Sequence, residues 1–332
     1  MRPLIRAAIV GYGESGRLSH AYGLQANEVF KICAVCDLSE DNRKRAQSEL
    51  GCPTYESIDD LWNEGPLDLV SIVTRSDTHT ELACTCMERG AHVLITKPWA
   101  LNAGEARRII ETAKRCHKQV FPWIPVYWAP DYRLAKKLIA DGRLGDVFMI
   151  RRYLSDFRRR NDWQTLKRYG GGYLLNWGMH VLQPVLALAE SPLKRLHADL
   201  CQFITPGDTE DHFSISMEFA NGIRGVAEFT KSLVPLPSLL IQGTHGTLLG
   251  DGSSIRVVRE SVDGSNPHTE SFPLTGKAFG DEAEIYSDLA KTLLHGHPFP
   301  VSTDDALAGT IALDCARLSH EQQCSVAVPP AY

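Results

Sequence analysis

The stretch IVGYGESGRLSHAYGL, residues 9–24, joins an apolar run to a helix-like pattern through three glycines, Gly11, Gly13 and Gly16, in the spacing GxGxxG. Each glycine has a distinct task in a strand–turn–helix that meets a dinucleotide. Gly11 permits the tight turn, Gly13 lets the backbone approach a pyrophosphate, and Gly16 lets helix and strand pack closely. Tyr12, Glu14 and Ser15 fill the remaining positions of the loop, and the helix start offers free N–H groups to an anion. The pattern is short, so its context decides its weight. The next apolar run ends in Asp37, 21 residues after Gly16, where a carboxylate can accept hydrogen bonds from both hydroxyls of an adenosine ribose. The same carboxylate repels a 2′-phosphate, so NAD is expected; Arg43 and Lys44, on the following helix, keep NADP open.

Outward from this loop, strand-like runs at 5–10, 31–37, 67–74, 91–96 and 119–124 alternate with helical patterns near 14–25, 40–50, 57–63, 77–89 and 102–117. Apolar, β-branched runs separated by helices imply parallel βαβ units. The fold class is therefore α/β, with an N-terminal Rossmann doubly wound parallel sheet over 1–125. Beyond Tyr127 the period changes to two. HFSISMEF, IRGVAEFT, LLIQGT, TLLGD and IRVVRE are punctuated by Asn-Gly, His-Gly and Asp-Gly turns, which predicts a second α/β domain over 126–332 built on a large, open, mostly antiparallel sheet. Two closing helices, near 281–295 and 303–321, are expected to pack back on the body and the N-terminal domain.

The chain has 332 residues, 43% of them hydrophobic, enough for two well-buried cores. No apolar run is long enough to span a bilayer, and the start lacks the long apolar region of a signal peptide, so a cytoplasmic protein is expected. A net charge of -5 offers no general attraction to nucleic acid or anionic membrane. Nine cysteines in mostly apolar segments read as small buried hydrophobes in a reducing compartment. Cys33 and Cys36 form a CxxC inside a strand-like run with no second pair, so no metal is expected. Arg151, Arg152, Arg158, Arg159 and Arg160 read either as a solvated edge or as a rim for an anionic or polar substrate.

A second unusual stretch is GGGYLLNWGMH, residues 170–180. Asn176 and His180 stand four apart, which in a helix places them on one face. Just upstream, in RRRNDWQT, Trp163 offers a flat apolar wall for a sugar ring and Asp162 a hydroxyl acceptor, with Arg158 beside them; core packing and plain exposure are the alternative fates.

These segments together resemble the Gfo/Idh/MocA oxidoreductase family over nearly the whole chain. The resemblance rests on IVGYGESG, DLVSIVTRSDTHTELACTCMERGAHVLITKPWALNAGEARRIIETAKR, LIADGRLGDV, GGGYLLNWGMH, EDHFSISMEFANGIRG and IQGTHGTLLGD. It implies that Lys97, in Thr96-Lys97-Pro98 where the family has a Glu-Lys-Pro-like tripeptide, reaches substrate and nicotinamide. It also implies that Thr74 and His79 line the dinucleotide, and that Asn176 and His180 occupy the family's Asp and His positions. His180 would be the base and Lys97 the group that polarises the reacting oxygen. Asn176 cannot titrate, though it can hydrogen-bond a hydroxyl or fix a ring tautomer. A histidine beside it should have a lower pKa than one beside Asp, other things equal. This favours a neutral base near neutral pH, or it signals lost dehydrogenase activity. The expected function is an NAD(H)-dependent oxidoreductase interconverting a secondary alcohol and ketone of a sugar, cyclitol or related polyol, in a homodimer or homotetramer. Two alternatives remain open at this level: an NAD-assisted glycoside lyase or hydrolase with no net redox, and a dinucleotide-binding sensor whose catalysis has decayed.

Overall fold

A computed structural model of the protein describes residues 4–261 and 266–331. The chain divides into two compact units, Met1–Ile124 with Asp281–Thr303, and Pro125–Gly280 with Asp304–Tyr332.

The first unit is built on six strands, β1 (Ile5–Val10), β2 (Phe30–Cys36), β3 (Thr54–Tyr55), β4 (Leu69–Ile72), β5 (His92–Ile95) and β6 (Val120–Pro122). They lie in the order β3-β2-β1-β4-β5-β6, and every neighbouring pair is parallel. Ala7, Ala8 and Ile9 of β1, Val35 of β2 and Leu69, Val70 and Ile72 of β4 are fully buried, as strands covered on both faces must be. The order reverses between β1 and β4, so the loops after those two strands open at the switch point where ligands bind such sheets. Thr54–Tyr55 escapes the sequence reading because two residues carry no periodicity, and 57–63 is a 3₁₀ segment, Ile58–Glu64, rather than an α-helix.

The helix expected over 14–25 is present but irregular. Gly16–Ala21 is wound as a π-turn that leads into α1 (Tyr22–Gln25). The wider turn carries His20 inward, where it is fully buried. Its Nδ1 lies 2.9 Å from Tyr286 Oη, which in turn lies 2.8 Å from Ser71 Oγ. Tyr286 stands on the helix Glu282–His295, so this triad ties that closing helix to β4 and the π-turn within one unit. Burial pushes the His20 pKa down to about 3. In the unfolded chain it titrates near 6.5. Below that pH the unfolded chain binds a proton the folded one does not, so stability is full above about 6.5 and falls as pH drops toward 3. In His20→Gln, the urea midpoint should change less between pH 7 and pH 4 than in the wild type; an unchanged pH slope would contradict this.

The remaining helices of this unit are α2 (Glu40–Leu50), α3 (His79–Glu88) and α4 (Ala103–Cys116). Asn102 caps α4 by accepting from the Glu105 N–H, at 2.9 Å. Cys33 and Cys36 are buried in β2, and burial raises the Cys36 thiol to about 11, which removes thiolate chemistry near neutral pH.

The second unit begins with α5 (Pro130–Ala140) and contains α6 (Tyr173–Ala189) and nine strands. These are β7 (Val147–Asp156), β8 (Leu193–Cys201), β9 (His212–Phe219), β10 (Arg224–Lys231), β11 (Leu239–Gly243), β12 (Gly246–Gly250), β13 (Ser254–Arg259), β14 (His268–Pro273) and β15 (Val326–Ala327). Their order is β14-β13-β12-β11-β7-β10-β9-β8-β15, antiparallel except for the β7–β10 pair. Inward residues such as Phe213, Ile215, Ala227, Phe229, Ile241, Leu248 and Val257 form the core of this unit, with α6 packed over β7, β9 and β10 and α5 against β13.

Strand β7 corrects the reading of the arginine cluster. Arg152 is 2% exposed and forms a buried ion pair with Asp131 at the start of α5, while Arg151 donates to Gln242 on β11. A cationic pair inside a strand masks its apolar alternation. Breaking the Arg152–Asp131 pair from one side would leave a buried charge, a cost of about 3–5 kcal/mol. Among the described residues, no helix is long and apolar enough to cross a membrane.

Candidate active site and dinucleotide cradle

The cradle in the first unit is shaped by what its glycines exclude. Gly11 has φ +96°, and a Cβ there would stand 2.4 Å from the Val73 carbonyl oxygen, so the loops after β1 and β4 touch through bare backbone. A Cβ on Gly16 would lie 2.0 Å from the Gly11 carbonyl oxygen. Gly13, by contrast, has nothing within 4 Å of that position, so its surface is open for a ligand's phosphates to approach the helix start. Glu14 and Ser15 are exposed on the first helical turn. Tyr12 turns the other way: its side chain is buried, and its hydroxyl donates to Glu49, itself paired with Arg17.

Asp37 stands at the end of β2, and its carboxylate is already partly engaged. Oδ2 accepts from the Tyr12 N–H at 2.6 Å and from Asn42 Nδ2 at 3.1 Å, and Oδ1 accepts from the Ser39 N–H at 2.8 Å. A carboxylate has about four lone-pair directions. Three are filled, so one ribose hydroxyl can be accepted without rearrangement, not the two expected from the sequence. The Tyr12 bond also fastens the carboxylate to the glycine loop.

Thr74 follows β4, its Oγ1 2.7 Å from Thr78 Oγ1. His79, expected to face the cofactor, does not present a ring nitrogen to a ligand. Its Nδ1 lies 2.7 Å from the Pro98 carbonyl oxygen and its Nε2 3.1 Å from the Thr74 carbonyl oxygen, with the ring fully buried. Burial lowers its pKa, opposed by the two carbonyls. A neutral ring has one N–H and donates to only one of these carbonyls; the imidazole sits wedged between the loop after β4 and the loop that carries Lys97. Lys97 is half-buried directly after β5 and buried Thr96, and it precedes Pro98 through a cis peptide bond.

In the second unit, α6 begins where two loops meet. Gly172, at φ +111°, leaves room for Glu210: a Cβ would lie 2.4 Å from Glu210 Oε1. That oxygen accepts from the Leu174 N–H at 2.8 Å, and the Glu210 carbonyl accepts from the Tyr173 N–H at 3.1 Å. The carboxyl therefore caps the positive end of the helix from outside, with its pKa raised by burial. Asn176 is half-buried one turn on, and His180, 5% exposed, lies a further turn along the same face. The His180 ring packs edge-on to Phe279 at 5.2 Å and against Trp177 at 5.5 Å, and Trp177 stacks on Phe229 at 5.4 Å. Pro184, inside the helix four residues later, has no N–H to donate to the His180 carbonyl, which loosens the helix ladder at the histidine.

Lys231, at the end of β10, is a buried cation that the sequence reading overlooked. Its side chain is 5% exposed; Nζ donates to Asp156 at 2.9 Å and to the Arg158 carbonyl at 3.0 Å, and sits 3.9 Å from the Tyr173 ring centroid. It fastens the loop after β7 to the start of α6. In that loop Arg158 and Arg159 are exposed, and Trp163 is half-buried. Asp162 caps a 3₁₀ turn through Gln164 N–H at 2.8 Å and pairs with Arg160 at 3.0 Å, so its main work is local.

A Rossmann sheet with an open glycine loop and an acid at the end of β2 has the design of a dinucleotide-binding unit, and the second unit sets a histidine-bearing helix on its own sheet. Residues 5–123 match the model of the oxidoreductase family with an NAD-binding Rossmann fold, and residues 132–249 match the GFO/IDH/MocA C-terminal domain. The chain belongs to the Gfo/Idh/MocA family of oxidoreductases, with NAD as its cofactor class. It is 23% identical over 355 residues to the scyllo-inositol 2-dehydrogenase (NADP(+)) IolW of Bacillus subtilis, covering 97% of this chain and 95% of that one. It is 22% identical over 330 residues to the myo-inositol 2-dehydrogenase of Thermotoga maritima, covering 97% and 98%. Among solved structures, an NAD-binding protein from Listeria innocua superposes with a TM-score of 0.87 at 25% identity, covering 98% of this chain and 97% of that one.

Proposed function

We propose that this protein interconverts a secondary alcohol and a ketone on a sugar, cyclitol or related polyol. The reading is carried by one observation: an open, acid-terminated dinucleotide cradle in a family whose full-length relatives include two inositol 2-dehydrogenases. Gly11, Gly13, Gly16 and the first helical turn would hold the pyrophosphate, and Asp37 the ribose. When bound, the nicotinamide supplies a two-electron acceptor or donor for hydride.

The chain's own residues do the rest. Lys97 orients the reacting oxygen and polarises it with its ammonium. His180 takes the alcohol proton in the oxidative direction and returns it in the reductive one, held among Trp177, Phe229 and Phe279 in an apolar wall that disfavours stray water. Asn176 gives the substrate a donor and an acceptor without adding charge. Trp163 fits one face of a sugar ring; the Asp162 carboxylate is occupied locally and has a lesser role. The first unit serves the dinucleotide and the second the substrate, and copies of the chain associate as a homodimer or homotetramer through the open sheet.

A panel of inositols, sugars and glycosides mixed with NAD should yield NADH with at least one polyol. Turnover of a glycoside with no NADH would favour the elimination or hydrolysis alternative, and dinucleotide binding without product from any compound would favour a sensor.

A further inference from the structure

Membership of the family leaves the choice between NAD and NADP open, since one relative carries NADP(+) in its name. Building on the cofactor reading above, we propose that the adenosine end of the cradle selects a ribose with a free 2′-hydroxyl, and that Glu56 enforces this by latching Arg43 away from the ligand.

A 2′-phosphate needs a cation where the 2′-hydroxyl would sit, and Arg43 is the obvious one by position. It is already committed elsewhere. Its Nη1 donates to the Asp37 carbonyl at 2.8 Å and the Leu38 carbonyl at 2.9 Å, and its Nη2 lies 3.3 Å from Glu56 Oε2. The guanidinium is drawn beneath the end of β2, its side chain only 17% exposed, while Glu56 is 70% exposed. Three of the fork's five N–H donors are committed to two carbonyls and a carboxylate, which fixes the guanidinium in this position. Lys44 is turned to Glu40, at 2.7 Å along the same helix.

The remaining neighbours point the same way. Leu38, the first residue beyond Asp37, is 80% exposed and offers hydrocarbon where a phosphate would want a donor. Asp37 is held by three N–H donors, so it cannot swing aside to relieve repulsion from a second anion. Its open lone pair suits a hydroxyl proton. The device thus combines a fixed repulsive charge with a withdrawn attractive one, which is how specificity between near-identical ligands is commonly achieved.

Titration calorimetry of the whole protein with NADH and NADPH tests this without reference to turnover. The wild type should bind NADH about 100-fold more tightly than NADPH, or better. Glu56→Gln, at an exposed side chain, should leave NADH affinity in place and raise NADPH affinity several-fold as Arg43 is released. The double change Glu56→Gln with Arg43→Gln should cancel that gain. Comparable wild-type affinity for the two dinucleotides would overturn the selection, and an unchanged NADPH affinity in Glu56→Gln would overturn the latch. Binding of neither would overturn the cofactor reading itself, a distinct outcome.

Discussion

Lys97→Met should reduce kcat for polyol oxidation by about 10²–10³-fold, the usual consequence of removing one charged donor aimed at the reacting oxygen. NADH affinity should change far less. Lys97 leaves the carboxyl end of β5, and the loop that carries it packs against the buried His79 ring, whose one N–H has the Pro98 and Thr74 carbonyls within reach. Its position is thus set by buried backbone contacts, which the substitution leaves in place. Steady-state kinetics beside calorimetry separates the two effects: a parallel collapse of dinucleotide binding would make Lys97 a structural residue and remove it from the chemistry.

The second large effect is expected at His180. His180→Ala should lower kcat by about 10²–10⁴-fold, the range for loss of a positioned general base. The informative companion is Asn176→Asp. A carboxylate one turn before the histidine favours the imidazolium, so the base stays protonated to higher pH. The acid limb of the kcat/KM profile should therefore move upward in pH, while the basic limb stays. If Asn176→Asp also raised the rate markedly, the native amide would mark a site drifted from ordinary alcohol oxidation. A profile identical to the wild type would separate Asn176 from the proton-transferring group altogether.

The two halves of the fold differ in how much the sequence reveals. The parallel sheet is legible because strands buried on both faces are nearly continuous apolar runs, and because glycine spacing and Asp37 report a backbone requirement, not a packing preference. In the second sheet, β9 to β13 are marked by alternation and by turns, but β7 is hidden by Arg151 and Arg152: Arg152 finds its counter-charge, and Arg151 its amide acceptor, only once α5 and β11 are in place. No local pattern announces a charge that tertiary contacts will pair. The same holds for Lys231, which follows the run IRGVAEFT with nothing to mark it until Asp156, Arg158 and Tyr173 surround it.

Within the site, residue type predicted location better than occupation. Asp37 stands where the spacing puts it, yet three N–H groups have claimed most of its acceptor capacity. His79 stands at the start of α3, just after the loop the family pattern assigns to it, fully buried with a carbonyl oxygen beside each ring nitrogen. Glu210 was invisible because its partner is a backbone N–H exposed only when α6 begins at a glycine. Sequence spacing reports which groups a fold brings near a ligand; it says little about which of their lone pairs the fold has already used.

In the proposed reaction hydride leaves a substrate carbon for the nicotinamide. A polyol substrate from the panel, deuterated at the carbinol carbon, can be turned over with NAD and the recovered dinucleotide analysed by mass spectrometry. One deuterium is expected in each NADH formed, in step with ketone. Deuterium found in solvent or retained in product, with the dinucleotide unlabelled, would contradict it.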